Sequence, residues 1–354
     1  MRTIVTGAAG FIGSHVAELL ANEGHDVLAI DNLSGGFLEN VPRGARFAQL
    51  DITSDLSGVF EGFRPEAVYH LAAYAAEGLS HHIPVFNYQN NLVGTARVLE
   101  AAYRSGAEHF VFTSSIAAYG HPVHDRLLSE EDVCHPCDPY GVAKLACEHH
   151  IGAFFEYFGR PKFTIFRPHN VFGPRQNISD PYRNVIGIFL SRALAGRPLP
   201  IFGDGLQSRS FSFITTVARC IADAPVSPKA ANRTVNVGGD VPMSVVELAR
   251  KILQLLAAPE QIEWLPARHE VMHAHCRHDV ARELFPRAYT DAIGIEDGLK
   301  RMVKFVRGRP APPLTGCPAS IEISDGLPPS WKVVVEDGAR VSVGQGTTSF
   351  RSSR

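Results

Sequence analysis

Tyr140 and Lys144 are the pair with the clearest chemical potential in this chain of 354 residues. They lie four residues apart in a stretch that predicts a helix over 139–158, which places both side chains on one face. The Lys144 ammonium favours the phenolate form of Tyr140, so the phenol becomes a usable base nearer neutral pH. Ser115 ends a predicted buried strand and can hydrogen-bond a reacting oxygen and relay its proton to Tyr140. These residues predict acid–base chemistry, although Ser115 could instead act as a capping hydroxyl.

A glycine-rich turn near the N-terminus is a second candidate site. Gly7, Gly10 and Gly13 lie between a predicted strand and a predicted helix over 11–23. In this spacing the first glycine permits a tight turn, the second lets backbone approach a pyrophosphate, and the third lets the helix pack on its strand. The N–H groups at the helix N-terminus favour phosphate. The context predicts dinucleotide binding, and a purely structural turn is the alternative.

Acidic and small residues at other predicted strand ends extend this site. Asp31 ends the second strand, where a carboxylate accepts from both ribose hydroxyls and repels a 2′-phosphate, which favours NAD over NADP. A solvated strand end is the alternative for Asp31. Asp51 and Ile52 follow the third strand and could face adenine. After the fourth strand, small Ala72 and Ala73 would let the backbone lie against the cofactor.

Short apolar runs alternate with helical patterns, and this alternation sets the predicted fold. The predicted strands are 3–6, 27–31, 46–50, 67–71, 109–114 and 163–166, and the predicted helices are 11–23, 85–105, 139–158, 183–195, 243–257 and 294–306. Several strand runs are almost wholly apolar, as in strands buried on both faces. Strands alternating with helices predict an α/β fold with a Rossmann-type, doubly wound parallel sheet.

The composition changes twice along the chain, which predicts three regions. Residues 1–167 form the predicted NAD-binding Rossmann domain, with some later segments returning to it. Residues 168–308 mainly form a smaller C-terminal substrate-binding lobe over the carboxyl ends of the strands, where ligands of open α/β sheets bind. Residues 309–354 form a Pro-, Gly- and Ser-rich extension, interpreted as a flexible tail or as a hairpin around Asp337-Gly338.

Composition and charge exclude several classes of function. The formal net charge is −2 and no run of Lys and Arg marks a basic surface, so no nucleic-acid partner is expected. No apolar stretch approaches the roughly 18 residues of a membrane span, and the N-terminus enters a strand at once, so neither a membrane span nor a signal peptide is expected. Six cysteines suggest free thiols in a reducing compartment, the cytoplasm. The pair Cys134 and Cys137 is interpreted as part of a loop, and no metal site is predicted.

The order and spacing of these motifs resemble those of the extended short-chain dehydrogenases/reductases. The motifs are TGAAGFIGSH, DNLSGG, DI, HLAA, NN, FTSS, YGVAK and RPHNVFGPRQ, over about residues 2–306. The series is most similar to the NAD-dependent UDP-galactose (UDP-glucose) 4-epimerases. The resemblance implies Ser115, Tyr140 and Lys144 as the catalytic set. It also implies a set of residues that touch NAD: Gly7, Gly10, Phe11, Ile12, Gly13, Asp31, Asn32, Asp51, Ile52, Leu71, Ala72, Ala73, Asn91, Ser114, Tyr140, Lys144 and Pro168.

Residues after the predicted fifth strand narrow the chemistry that the resemblance implies. The 4,6-dehydratases carry an Asp-Glu pair where this chain has Ile116 and Ala117, and the Glu usual in UDP-glucuronate decarboxylases is also missing. GDP-mannose 3,5-epimerases and fucose synthases use a nearby Cys, and this chain has none between Thr113 and Tyr119. The remaining Ser/Tyr/Lys set suits removal of a hydride from a sugar carbon and its return to the other face.

The chain departs from the family where the sugar is expected to bind. Ser210 replaces the Asp of the usual GDGxQxRDF block, and Thr216 replaces the Asp of a later Asp-Val pair. Ala75 stands where many 4-epimerases have Lys. Asn170 matches a family Asn that contacts the diphospho-sugar, so the resemblance implies the same role here.

Three further residues are predicted to contact the substrate. Arg209 and Arg268 are chosen for the nucleotide diphosphate, because guanidinium groups match phosphate oxygens well, and an ordinary surface charge is the alternative for each. The family position that limits the size of the sugar 2-substituent falls on Cys276, a small residue that would admit an N-acetyl group. A shifted register would place His275 there instead, and Cys276 could simply be a buried small hydrophobe.

Together these observations predict an NAD-dependent nucleotide-sugar 4-epimerase for a UDP-hexose or UDP-N-acetylhexosamine, with a place in polysaccharide biosynthesis. The alternatives on the same fold are a 4-keto reductase, a 2-epimerase and a UDP-glucuronate 4-epimerase. A non-catalytic NAD-binding regulatory protein is an alternative of another class, and the complete Ser/Tyr/Lys set argues against it. The resemblance also implies a homodimer formed through the helices over 85–105 and 139–158.

Overall fold

A computed structural model describes residues 1–122, 126–267, 271–307, 319–328 and 331 of the chain. The strands are β1 (Arg2–Thr6), β2 (Asp26–Asp31), β3 (Arg46–Gln49), β4 (Ala67–His70), β5 (His109–Thr113), β6 (Lys162–Pro168), β7 (Val171–Phe172), β8 (Leu199–Phe202), β9 (Ser208–Ser210), β10 (Ser212–Phe213), β11 (Arg233–Val237), β12 (Pro242–Ser244), β13 (Ile262–Leu265) and β14 (His273–Ala274). The helices are α1 (Phe11–Asn22), α2 (Ser57–Phe63), α3 (Glu77–Ser80), α4 (Pro84–Tyr88), α5 (Gly94–Arg104), α6 (Pro139–Phe158), α7 (Val185–Leu194), α8 (Ile214–Asp223), α9 (Val245–Leu256), α10 (Asp279–Leu284), α11 (Pro286–Thr290) and α12 (Ile295–Arg307).

Seven parallel strands form the central sheet, in the order β11-β6-β5-β4-β1-β2-β3. The strand order reverses between β1 and β4, where Thr6 pairs with His70. In an open α/β sheet, the crevice at the carboxyl ends of two such strands is where ligands bind. The predicted α/β fold with a Rossmann-type, doubly wound parallel sheet is confirmed.

Apolar side chains on both faces of the sheet explain why the strand runs are almost wholly hydrophobic. In β1, Ile4 packs toward α2 and α5, whereas Val5 packs toward α1 and α8. In β5, Phe110 and Val111 divide in the same way between the two layers. Full burial of each such side chain stabilises the fold by about 1.5–3 kcal/mol. These two layers hold the strand ends that form the site.

One strand of the sheet comes from far along the sequence. β11 pairs in parallel with β6, with Arg233 beside Thr164, although it belongs to the segment 168–308. The sequence analysis did not predict this strand. Three small sheets, β10-β7, β12-β9-β14 and β13-β8, account for the other strands of the described residues. The predicted hairpin around Asp337-Gly338 lies outside the described residues.

The predicted helix over 85–105 is divided into three parts. A π-helical turn over Gln89–Val93 separates α4 from α5. In this turn the Asn91 side chain accepts from the backbone N–H of Tyr74 at 2.8 Å and donates to its carbonyl at 3.1 Å. Thr95 Oγ1 donates to the Asn91 carbonyl at 2.6 Å. Asn91 is therefore turned toward the loop after β4, and π-turns of this kind often occur at functional sites.

Candidate active site

A cavity opens at the carboxyl ends of β1, β4 and β5. One side, here called the glycine-rich wall, is formed by the segments 7–13, 31–36 and 71–73, of which all residues except Ala8 and Leu33 line the cavity. The opposite side, here called the loop wall, is formed by the segments 74–86 and 176–184, of which Tyr74, Ala75, Glu77, Phe86, Gln176, Asn177, Arg183 and Asn184 line the cavity. Residues 113–115, Tyr140, Lys144, Pro168 and Asn170 lie between the walls.

The glycine-rich wall has no room for side chains. Gly7 has φ +72°, and a Cβ there would lie 2.7 Å from the backbone nitrogen of Ala72. A Cβ on Gly13 would lie 2.0 Å from the Gly7 carbonyl oxygen. Helix α1 begins at Phe11 without a side-chain cap and without an acidic residue in its first turn. Its N–H groups at the cavity thus remain available, which fits the diphosphate of a dinucleotide.

Asp31 is held rigidly at the end of β2. Its carboxylate accepts from the backbone N–H of Ala9 at 3.0 Å and from that of Leu33 at 2.7 Å. Burial raises its pKa, and these hydrogen bonds partly oppose the effect. Asn32 also lines the cavity and donates to Asp51 at 2.8 Å. Asp51 is absent from the residues lining this cavity, so its carboxylate orients Asn32 instead of facing the opening.

Ser115, Tyr140 and Lys144 meet at the floor of the cavity. Tyr140 stands in the first turn of α6, which Asp138 caps by accepting from the N–H of Gly141. Lys144, one turn later, donates from Nζ to the carbonyl of Thr113 at 2.8 Å. Ser115 Oγ accepts from the N–H of Ala117 at 3.1 Å, so it caps the short turn after β5. The Ser115 side chain also lies close enough to Tyr140 to lower the pKa of the phenol, so a capping role does not separate it from the tyrosine.

The protonation of this group is controlled chiefly by burial. Burial raises the pKa of the Tyr140 phenol, the Glu77 carboxylate raises it further, and the hydrogen bond with Ser115 opposes both. Burial also lowers the pKa of Lys144 to about 8. Each effect disfavours the charged form of an enclosed group. Burial therefore opposes the phenolate form of Tyr140 that the sequence analysis expected, and Lys144, with Nζ 5.8 Å from the centre of the tyrosine ring, is placed to favour it.

A buried ion pair supports the floor from behind. Arg167 donates to Glu148 from Nε at 2.9 Å and from a terminal nitrogen at 2.5 Å. Ser114 Oγ donates to the same carboxylate at 2.5 Å. Sequence analysis missed this network, although Glu148 lies one helical turn after Lys144 on the same face of α6. Removing one partner of such a pair leaves a buried, unpaired charge, so these residues fix the end of β5.

The loop wall brings two charged side chains to the cavity that sequence analysis did not single out. Glu77 begins α3, and Arg183 lies above the ring of Tyr74 at 5.1 Å. Arg183 Nε donates to Asp180 at 2.6 Å. A Cβ on Gly35 would lie 3.2 Å from a terminal nitrogen of Arg183, so the guanidinium reaches across to the glycine-rich wall. The signal in the sequence was weak, because these residues stand about a hundred positions apart.

Comparison with known proteins decides the family. The sequence model of the NAD-dependent epimerase/dehydratase family matches residues 3–238. This chain belongs to that family. The family predicted from the motif series and the predicted NAD cofactor are thereby confirmed.

Similar proteins include several epimerases. The UDP-glucose 4-epimerase of Mycolicibacterium smegmatis is 34% identical over 87% of this chain and 99% of its own length. The crystal structure of the Thermotoga maritima UDP-glucose 4-epimerase with UDP-glucose has a TM-score of 0.82 at 32% identity, over 87% of this chain and 99% of that chain. The Methanobrevibacter ruminantium UDP-N-acetylglucosamine 4-epimerase, solved with UDP-N-acetylmuramic acid, has a TM-score of 0.79 at 29% identity, over 87% and 98% of the two chains.

In this epimerase/dehydratase-family chain, most residues assigned to NAD by resemblance line the cavity. They are Gly7, Gly10, Phe11, Ile12, Gly13, Asp31, Asn32, Ile52, Leu71, Ala72, Ala73, Ser114, Tyr140, Lys144 and Pro168. Asp51 and Asn91 are absent from the lining. Each instead positions a neighbour, since Asp51 holds Asn32 and Asn91 holds the backbone of Tyr74.

Of the residues predicted to bind the substrate, Asn170 lines the cavity and Arg209 does not. Asn170 lines the cavity and donates to the Ser210 carbonyl at 3.1 Å. Arg209 is absent from the lining, and its guanidinium donates to the carbonyls of Val271 and Met272 at 2.5 and 2.9 Å. Arg209 therefore ties β9 to the following segment. Arg268 lies outside the described residues.

Cys276 is not at the cavity, in contrast to the predicted size gate. It is buried in a cluster with Tyr119 and Leu128, because the segment after β14 bridges to Leu128 and turns the thiol inward. His275, the alternative gate, contacts the Ser208 and Ser210 hydroxyls and is also absent from the lining. The alternative interpretation of Cys276 as a buried small hydrophobe agrees with this placement.

A buried pair of histidines stands behind Asn170. Nε2 of His169 and Nε2 of His278 are 2.6 Å apart, and Nδ1 of His278 lies 2.6 Å from Asp240. Burial lowers the pKa of His169 to about 3, and the neighbouring His278 adds to this effect. The chain of contacts from Asp240 to His169 fixes the residue between Pro168 and Asn170, and so stabilises the cavity floor.

Proposed function

We propose that this protein is a nucleotide-sugar 4-epimerase for a UDP-hexose or UDP-N-acetylhexosamine. The observation that carries the proposal is the meeting of Ser115, Tyr140 and Lys144 at one cavity floor, beside a wall suited to NAD. Ile116 and Ala117 follow directly, and neither can donate or accept a proton from its side chain. The names of the similar proteins support a 4-epimerase and a UDP-sugar.

The side chains at the floor divide the work of proton transfer. Tyr140 Oη, in the phenolate form that the neighbouring Lys144 ammonium favours, takes the proton of a sugar hydroxyl and returns it, while Ser115 Oγ hydrogen-bonds the same sugar oxygen. Lys144, anchored on the Thr113 carbonyl, keeps further N–H donors for a nicotinamide ribose and for Tyr140. NAD, when bound, supplies the reversible acceptor for the hydride of the sugar carbon. The glycine-rich wall and Asp31 would hold that cofactor.

Return of the hydride to the opposite sugar face requires the ring to turn within the cavity. The loop wall supports this proposal, because its residues come from loops and short helices that leave an open space above the floor. A reductase on the same fold would release product and oxidised cofactor in equal amounts. An epimerase ends each cycle with its cofactor in the starting state, so the two are distinguished by the cofactor balance.

Arg183 favours UDP-glucuronate as a second candidate substrate. Its guanidinium lines the loop wall, and guanidinium groups match carboxylates in geometry and charge. The Glu77 carboxylate on the same wall would repel the carboxylate of such a sugar and so disfavours its binding. UDP-glucuronate is thus tested beside the neutral sugars.

We also propose a homodimer formed through α6 and the helical run that contains α4 and α5. Val93, Val142 and Tyr157 are exposed on these helices, at 45%, 40% and 83%. Apolar side chains exposed on adjacent helices are typical of a face that pairs with another chain. Light scattering of the wild type and of Val142→Glu tests this: the wild type should be dimeric and the variant monomeric.

Cytoplasmic location and a role in polysaccharide biosynthesis belong to the same proposal. Cys134, Cys137, Cys147, Cys220 and Cys276 are all free thiols, as expected in a reducing compartment. Among the residues that the structure describes, no helix has the length and apolar character to cross a membrane. An interconverted UDP-sugar is a suitable donor for polysaccharide assembly.

The experiment is to incubate purified protein with UDP-, GDP-, CDP- and dTDP-sugars and follow the products by NMR. We expect inversion at C4 of a UDP-hexose or UDP-N-acetylhexosamine, with no net change of the cofactor. Tyr140→Phe serves as the inactive control. Loss of water, inversion only at C2, or one cofactor consumed for each product would each contradict a 4-epimerase.

A further inference from the structure

The C-terminal extension contains a segment that packs against the loop wall. The matches to the similar proteins reach 98–99% of their length but cover only 87% of this chain. The share of this chain outside these matches is about as long as the segment 309–354. Residues 319–328 and Trp331 of this extension are described. These described residues, 319–328 and Trp331, are here called the strap.

The strap is joined to the loop wall by an apolar cluster. Its buried members on the wall are Tyr74, Ala76, Leu79, Ile83 and Tyr182, and the residues packed against them are Phe86, Ala319, Ile321 and Trp331. The ring of Trp331 meets that of Tyr182 edge to face at 5.2 Å. A Cβ on Gly78 would lie 3.1 Å from the indole, so glycine at this position lets Trp331 approach closely.

Hydrogen bonds fix the register of the strap on the same wall. The Glu322 carboxylate accepts from the backbone N–H groups of Val85 and Phe86 at 2.8 and 2.9 Å. The N–H groups of Glu322 and Ile323 both donate to the His82 carbonyl, at 2.9 and 3.1 Å. Nδ1 of His82 lies 2.8 Å from the Ile323 carbonyl. Apolar packing and polar contacts thus hold the strap in one position.

The residues that the strap contacts are neighbours of those that line the cavity. Trp331 packs on Tyr182, and the next residue, Arg183, lines the loop wall. Glu322 binds the backbone of Phe86, which lines the cavity itself. Tyr74 belongs both to the apolar cluster and to the lining. The strap thus lies outside the cavity and contacts the segments that form the loop wall.

We propose that the strap is an intramolecular brace that holds the loop wall in the shape that binds the sugar, with Trp331 and Glu322 as positioning residues. The inference rests on the proposed function, because the loop wall is taken as the sugar side of the cavity. The catalytic floor has its own supports in the Lys144–Thr113 contact and the Glu148–Arg167 pair. Loss of the strap should therefore weaken substrate binding more than turnover.

The test compares point variants of the full chain. For Trp331→Ala we expect KM for the nucleotide sugar to rise by ~10-fold with kcat within ~2-fold of wild type, as expected when preorganisation for binding is lost. Glu322→Ala should raise KM by roughly 3-fold, and Trp331→Phe should restore a KM near that of wild type. NAD released on denaturation should be unchanged in all three. Trp264→Ala, at the other tryptophan, is the matched control and should leave KM unchanged.

A second measurement makes the strap testable without turnover. The chain has two tryptophans, so Trp264→Phe leaves Trp331 as the only indole. Its emission should be that of a packed indole and should shift to the red when Glu322→Ala is added. If wild type converts no nucleotide sugar but this shift occurs, the proposed function fails and the docked strap stands. An unchanged emission, or a KM of Trp331→Ala equal to that of wild type, would overturn the proposal.

Discussion

The two walls of the cavity are built in different ways. The glycine-rich wall consists largely of backbone, made by a short turn between β1 and α1 and by the ends of neighbouring strands. The loop wall consists of side chains such as Tyr74, Glu77 and Arg183, supplied by separate segments and braced by the strap. A backbone site recognises what all NAD molecules share, whereas a side-chain site can differ between relatives with the same fold.

The largest expected effect falls on the floor between the walls. Tyr140→Phe should lower kcat by at least ~100-fold, because the proposed proton acceptor is lost while the ring still packs. Cofactor content, measured on the denatured protein, should match that of wild type. Tyr157→Phe, at an exposed tyrosine of the same helix, is the control and should be fully active. Activity above about a tenth of wild type would assign the base to another residue.

A substitution in the glycine-rich wall should reduce the binding of NAD. In Gly7→Ala the new Cβ would collide with the Ala72 backbone at 2.7 Å, at a φ of +72° that alanine adopts poorly. We expect NAD content to fall by ~10-fold or more, because the wall must move away from the cofactor. Gly152→Ala, where a Cβ meets nothing within 4 Å, is the matched control and should retain NAD. Full NAD content in Gly7→Ala would mean that the turn tolerates a side chain.

The loop wall should affect the substrate and leave the cofactor in place. Arg183→Gln should raise KM for the nucleotide sugar by roughly 10-fold, because a charged hydrogen-bond donor is replaced by a neutral one. Lys229→Gln, at an exposed lysine far along the chain, provides a control for the loss of one positive charge. A loss of NAD as large as the rise in KM would show that Arg183 serves the cofactor, and the two walls would then share one ligand.

Three buried histidines should make the free energy of unfolding decrease in acid. Burial lowers the pKa of His70 and His169 to about 3 and that of His109 to about 4, against 6.5 for an unfolded chain. Below pH 6.5 these histidines bind protons in the unfolded state but stay neutral in the folded state. The free energy of unfolding is therefore highest above pH 6.5 and decreases as the pH falls toward 4. Each histidine should cost on the order of 1 kcal/mol of the free energy of unfolding at pH 5.5.

Urea unfolding between pH 7.5 and 5.5 measures this loss. His109→Gln should flatten the pH dependence, and His149→Gln, at an exposed position of α6, should leave it as in wild type. If the free energy of unfolding depended on pH equally in His109→Gln and in wild type, His109 would not be a buried histidine that stays neutral in the folded state.

The sequence predicted the glycine-rich wall well for a physical reason. Gly7, Gly10 and Gly13 are close in sequence, and the turn they form depends on backbone conformation alone. Asp31 follows from the end of an apolar strand run. The helix over 139–158 agrees with α6 in the structure because its proline start and glycine end are both local signals.

The loop wall could not be predicted in the same way. Arg183 and Glu322 act through contacts with residues far away in sequence, and no local pattern reports such contacts. Asn91 was assigned to the cofactor by resemblance, but the π-turn rotates it toward Tyr74. Cys276 was placed by counting residues across a segment whose register could also have selected His275, and its side chain is buried beside Leu128.

The most direct test of the central claim follows the hydrogen at C4 of the sugar. Protein is incubated with UDP-glucose carrying deuterium at C4, and with the C4-labelled N-acetylated sugar, without added cofactor. A 4-epimerase that returns its own hydride should yield the inverted sugar with the deuterium still at C4 and no accumulation of reduced cofactor. Loss of the label to solvent, or reduced cofactor formed in proportion to product, would contradict the account.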